Sequence, residues 1–116
     1  MRWIGVAVLF VVAVLGVSAC SGSNDGAPPA PAGNAQLTRG RAIWVERCAR
    51  CHGVSGGGAI GPQLSNGKVT AKYPTPEGEI QVVTKGLGSM PAFGNTLSKD
   101  DIAAVVAYTR EVLATR

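Results

Sequence analysis

Apolar and polar positions divide the chain into three unequal stretches. From Trp3 to Ala19 there is no charge and nearly every residue is apolar. From Ser21 to Gln36 the residues are small or polar, rich in Gly, Pro and Ala, with one charge at Asp25. Only from Leu37 to Arg116 do apolar and polar positions mix as they do in a folding domain, and there the spacing is helical. Thr38 is placed to cap a helix running towards Cys51, with Gly40, Trp44 and Cys48 four apart on one face. Thr75-Pro76-Glu77 has the order of an N-cap, a first-turn proline and a first-turn acid, opening a short helix that ends at Gly86. Ile80 and Val83 are its expected buried side.

Ser98-Lys99-Asp100-Asp101 starts a last helix with a capping-box serine, Asp standing where Glu or Gln is usual. Its apolar stripe is Ile102, Val105, Val106, Ala107 and Tyr108. A glycine inside a helix costs about 1 kcal/mol against alanine. Gly40 is therefore expected to admit the last helix at close range, with Trp44 packing near Tyr108. Period-two alternation is almost absent after Gln36, so the expected class is all-α, three to four helices with the N- and C-terminal ones crossing.

A domain of roughly 80 residues is marginal on buried area alone and usually needs a staple. Arg2 followed by the apolar stretch fits a secretory leader over residues 1–19. The stretch closes on Val17-Ser18-Ala19-Cys20, small residues before a cysteine, which resembles the lipobox of bacterial lipoproteins. That resemblance implies cleavage before Cys20 and lipid on its thiol; an uncleaved anchor is the alternative. Both place the domain outside the cytoplasm. Residues 20–36 then read as a lipidated flexible tether, with an r.m.s. span of about 20–24 Å. Residues 37–116 are the domain.

The formal net charge is +4, with cations scattered and no run of like sign. Nucleic-acid binding is disfavoured. Lys68, Lys72 and Lys85 are candidate docking charges for an acidic partner, although a solvated surface explains each as simply.

The decisive chemistry lies in Cys48-Ala49-Arg50-Cys51-His52, a C-x-x-C-H attachment site for c-type haem. Thiols about one helical turn apart can reach the two vinyl groups of one porphyrin, and the next residue is a histidine ready to bind its iron. A structural zinc site wants four Cys or His ligands, which this chain does not have to spare. A thioredoxin-like pair wants a βαβ setting that the pattern lacks. For the sixth ligand, the one methionine besides the initiator is Met90, in the Gly- and Pro-rich stretch Gly86 to Gly94. Such a loop can bring a thioether to the haem face, and His/Met ligation raises haem potential.

From about Leu37 to Ala114 the chain resembles the class I cytochromes c, in particular short bacterial members. The resemblance rests on C-x-x-C-H, on Gly40 and Trp44 ahead of it, on Met90-Pro91, and on Tyr108 in the closing helix. Gly61-Pro62-Gln63-Leu64 resembles the segment whose proline carbonyl accepts the proximal histidine's Nδ1–H. The resemblance thus implies that Pro62 orients His52. The Val54–Ile60 loop, with its three glycines, is a departure in a region of variable length.

The expected function is one-electron transfer by a single covalent haem c, with no enzymatic role. The expected partners are a membrane oxidase or reductase, a cupredoxin or another cytochrome. A haem-based redox or gas sensor is the main alternative, alongside a haem subunit of a larger oxidase or reductase complex. A sensor would need Met90 to leave the iron readily.

Overall fold

Residues 25–116 are described in a computed structural model; Trp3–Ala19 and the lipobox-like Val17–Cys20 lie outside them. The described residues form helices α1 (Ala35–Ile43), α2 (Ala49–His52), α3 (Lys68–Lys72), α4 (Pro76–Lys85) and α5 (Lys99–Tyr108). A π-helical turn, Trp44–Cys48, joins α1 to α2 without a break, and a second, Thr109–Leu113, extends α5. Among the described residues the only β-pairing is an isolated antiparallel bridge between Leu87 and Met90. No described helix is long and apolar enough to cross a membrane. The all-α expectation holds.

Helix α1 starts earlier than the sequence pattern suggests. Asn34, not Thr38, is its N-cap, and the Asn34 side chain accepts from the Leu37 amide at 2.9 Å. Gly33, at φ 80°, turns the chain just before it. Ala35, Gln36 and Leu37 all favour helix, so nothing delays the first turn until Thr38. The Thr38 hydroxyl instead donates back to the Asn34 carbonyl at 2.9 Å, as a residue already inside the helix does.

The expected tether also needs correction from Asp25 onwards. Arg41 reaches out of α1 to take three groups of this segment. These are the Asp25 carboxylate, the Ala27 carbonyl at 3.0 Å and the Pro28 carbonyl at 3.1 Å. The Tyr108 hydroxyl donates to the same Pro28 carbonyl at 2.5 Å, and Ala27 is buried. Asp25–Pro28 is thus a strap fastened across the terminal helices. Polar composition disguised it, because it is held by backbone carbonyls, which every sequence has.

The terminal helices cross at Gly40. A β-carbon there would collide with the Ala104 carbonyl oxygen and lie 2.9 Å from the Tyr108 Cβ. The cost of a helical glycine is offset by this approach, as expected. Trp44 and Tyr108 pack with their ring centroids 6.3 Å apart and their planes tilted by 48°, both almost fully buried. Leu37, Ile43, Val105, Val112 and Leu113 complete the core. At one end Arg39 meets Asp101 at 2.8 Å; the arginine is largely exposed, so the pair adds little.

Helix α4 has its expected bounds, with Pro76 in its first turn and Gly86 at its end. Its buried side differs from expectation. Ile80 and Val83 are only half-buried, and the residue taken inside is Glu79. Ser98 caps α5 by accepting from the Asp101 amide at 3.1 Å. Of the predicted α5 stripe, all but Ala107 are buried, and Ala104 joins them.

Candidate haem-binding site

The first helix carries most of the site. Its π-helical turn ends at Cys48, and α2 supplies Cys51 and His52. The two cysteines are not joined in a disulfide and lie half-buried on adjacent turns, which is the spacing that two vinyl groups of one porphyrin require. π-Helical turns recur at functional sites, where the extra residue re-aims the side chains after it. Gly53, at φ 81°, then stops the helix directly after His52. Burial pushes the Cys48 thiol up to about 12, with the charges of Cys51 and Glu79 adding to it.

His52 is held from two sides. Its Nδ1 lies 3.0 Å from the Pro62 carbonyl, the contact implied by the resemblance. A carbonyl can only accept, so Nδ1 carries a hydrogen, which makes Nε2 the nitrogen available to an iron. The approach depends on Gly61, where a β-carbon would sit 2.9 Å from both Nδ1 and Cε1 of the ring. Backbone bonds from Gly61 N–H to the Cys51 carbonyl and from Gly58 N–H to the His52 carbonyl, each 2.7 Å, pin the loop to the helix end. Trp44 closes the other side, 6.1 Å from the imidazole between centroids. Its indole Nε1 donates to the Val54 carbonyl at 2.9 Å.

Met90 belongs to a separate element, the loop between α4 and α5. Leu87 and Met90 exchange backbone hydrogen bonds at 3.2 and 3.0 Å, forming a tight turn over Gly88, at φ 58°. Gly86 is required at its base, since a β-carbon there would fall 2.6 Å from the Met90 carbonyl oxygen. Phe93 and Gly94 amides then bond the Val83 and Thr84 carbonyls at 2.9 and 3.0 Å, tying the loop's far end to α4. The Met90 side chain is half-buried. Cys48, Cys51 and His52 are thus brought together by one continuous helical run and Pro62 joins them through its contact with His52, while Met90 is presented on its own braced loop. Cys20 lies outside the described residues. Lys68 and Lys72 on α3 and Lys85 at the end of α4 are all exposed or half-exposed.

Two features of the site and one buried acid outside it escaped sequence reading. Gly61 was visible only as a neighbour of Pro62. The Val54 carbonyl gives no sequence signal at all. Glu79 was hidden because an acid beside Gly78 and Gln81 reads as solvent-facing; only its place one turn from Val83 hinted otherwise. It is 5% exposed, and burial raises its carboxyl above the ordinary range, with Thr109 and Arg110 working against that shift.

This donor set fits haem: two thiols one turn apart, beside an imidazole with its tautomer fixed and one nitrogen free. The comparisons agree. Residues 35–108 match the protein family described as cytochrome C oxidase, cbb3-type, subunit III. A cytochrome c6 from Microcystis aeruginosa is 39% identical over 72 residues, which is 60% of this chain and 88% of that protein. The cbb3-type oxidase subunit FixP of Azorhizobium caulinodans is 35% identical over 88 residues, but this chain spans only 28% of it. Among solved structures, cytochrome c6C from Synechococcus sp. PCC 7002 superposes with a TM-score of 0.56 at 34% identity, covering 65% of this chain and 94% of that one. The chain belongs to the class I c-type cytochromes. It is a mono-haem protein that binds haem c covalently and carries single electrons.

Proposed function

We propose that this carrier works at the extracytoplasmic face of a membrane, held there by lipid on Cys20, with His52 and Met90 as the axial ligands of its iron. The observation that supports the ligand assignment best is the Nδ1 contact to Pro62, because it leaves Nε2 as the nitrogen available to the iron. Met90 is supported by its braced loop and by being the one methionine besides the initiator. Haem supplies the chemistry, a reversible one-electron change at iron. The chain's own task is to keep that change cheap. The fixed imidazole and the braced loop hold the two ligands in place in both oxidation states, so little has to move when an electron arrives. With Met90 holding the iron opposite His52, gas binding and peroxide chemistry would be opposed, which disfavours a sensor or an enzyme.

Docking of Asp25 bears on the tether. Between Cys20 and the strap four residues remain, so Cys20 lies at most roughly 18 Å from Asp25 when they are extended. A lipidated Cys20 would keep the domain against the bilayer, favouring partners in or on that surface. The lysines Lys68, Lys72 and Lys85 support an acidic redox partner, such as a membrane oxidase or reductase, a cupredoxin or another cytochrome.

One observation favours a second reading. The family match and the FixP relative both carry the description of an oxidase subunit, so the protein could serve as a haem subunit of such a complex. Purification from membranes in mild detergent separates the two: a carrier leaves alone, a subunit with its complex. Mass spectrometry of the mature N-terminus tests the tether, and an intact Met1 would end the lipoprotein reading. The ferric optical spectrum tests the ligands, since the Fe(III)–methionine charge-transfer band must be present in the wild type.

A further inference from the structure

One buried acid is left over after the haem site and the core are accounted for. Glu79 faces inward from α4 at 5% exposure. Its Oε2 has no hydrogen-bond partner and no solvent contact among the described residues. Arg110 Nη1, the nearest cation, stands 3.6 Å from Oε2, too far for a hydrogen bond, and is committed to the Tyr73 carbonyl at 2.8 Å. An ionised carboxylate so placed would leave one oxygen bare in the interior, which is costly.

The other oxygen poses a question of proton count. Glu79 Oε1 lies 2.5 Å from the Thr109 hydroxyl, and the Val106 carbonyl lies 2.8 Å from that same hydroxyl. A hydroxyl has one hydrogen to give and can also accept. A carbonyl can only accept. Both contacts are satisfied when Glu79 is protonated: its O–H donates to Thr109 Oγ, and Thr109 donates to Val106. When Glu79 is ionised, the Thr109 hydrogen must swing to Glu79, leaving Arg110 to draw towards Oε2. The site has a hydrogen-bond arrangement for each protonation state, and the exchange needs only a hydroxyl rotation and a small movement of Arg110.

Its location gives the proton a use. Val83, one turn along α4 from Glu79, and Cys48, one of the two attachment thiols, pack against one hydrophobic core, and the charge of Glu79 bears on Cys48. The titratable groups facing Glu79 from the packed elements are Arg110 on the C-terminal π-helical turn and Cys48 on the first helix, the latter without a titrating hydrogen once it is a thioether. A negative charge beside the haem favours ferric iron, and its removal favours ferrous iron.

We propose that Glu79 is a redox-linked proton site: its carboxylate takes up one proton from solvent as the haem iron gains one electron, and releases it on reoxidation. It rests on the one-electron carrier reading. Neutral Glu79 holds the proton, and the hydroxyl of Thr109 switches between accepting from it and donating to it. The midpoint potential then falls as pH rises through the carboxyl's titration and levels off on either side.

Spectroelectrochemical titration of the holoprotein across pH tests this, with Glu79→Gln as the neutral variant that keeps the side chain's shape. In the wild type the midpoint falls with rising pH above the ordinary carboxylate range. In Glu79→Gln that stretch is flat, whereas a slope owed to the haem's own carboxylates would survive the substitution. Arg110→Gln, which removes the nearby cation, moves the start of the fall to higher pH and provides the test if Glu79→Gln does not fold. A flat wild type, an unchanged slope in Glu79→Gln, or an unmoved onset in Arg110→Gln each overturns the proposal. Absence of any reversible one-electron couple would instead overturn the carrier reading.

Discussion

Gly40 lies directly against the Ala104 carbonyl, so the two terminal helices touch backbone to backbone at their crossing. A side chain at position 40 has nowhere to go, because what it meets is a peptide group inside α5 and the Cβ of Tyr108. Gly40→Val should therefore destabilise the holoprotein by about 1–3 kcal/mol or more, the range for overpacking a tight core. For a domain of this size that lowers the melting temperature by roughly 4–8 °C per kcal/mol. An unchanged melting temperature would show that the helices can part without cost.

Trp44 does two jobs, filling the core beside Tyr108 and tying the loop after His52 through its indole N–H. Trp44→Phe keeps most of the first and removes the second, leaving the Val54 carbonyl without its donor. A loss of about 0.5–1.5 kcal/mol is expected for the hydrogen bond, with more from the volume deleted. Amide exchange between Val54 and Gly58 should quicken more than exchange in α5. Equal acceleration everywhere would mean that the bond to Val54 has no local role.

If Met90 is the sixth ligand, Met90→Ala abolishes the ferric charge-transfer band and opens the iron to carbon monoxide in the ferrous state. Gly86 should matter nearly as much, since any β-carbon there presses on the Met90 carbonyl. Gly86→Ala is expected to weaken the same band without removing the sulfur. A wild type that lacks the band, or a Met90→Ala protein that retains it, identifies another ligand.

The strap is sensitive to acid. Burial works against ionisation of Asp25, but the Ala27 amide and the Arg41 guanidinium together hold its carboxyl below the ordinary range. A carboxyl lowered on folding contributes stability above its unfolded value and loses it as pH falls through the folded one. Protection of the Ala27 amide should thus persist at neutral pH and vanish below the usual carboxylate range. Asp25→Asn or Arg41→Ala should remove it at every pH. Constant protection down to strongly acid conditions would leave the Pro28–Tyr108 bond as the true fastening.

Much of this was legible from residues alone, for identifiable reasons. C-x-x-C-H, the α4 bounds and the Gly40 crossing depend on chemistry or sterics local to a few positions, and each came out as expected. The early start of α1, the docking of Asp25–Pro28 and the burial of Glu79 were not legible. The first turned on Asn34 outcompeting Thr38, a choice between two good caps. The second is held largely by backbone carbonyls brought close by the fold. The third depends on Thr109 and Arg110, thirty or so residues further along, making room for an acid in a place that hydropathy reserves for valine.

The crossing of the first and last helices also sets an order of events. Gly40 meets Ala104 and Tyr108, Trp44 packs on Tyr108, and the opening strap closes on Tyr108 across 80 residues of chain. A chain that ends before α5 therefore leaves Gly40 and the Tyr108-facing side of Trp44 uncovered. The segment that carries both thiols is accordingly expected to be least enclosed before the final helix docks, when a bulky porphyrin has most room to be joined to them.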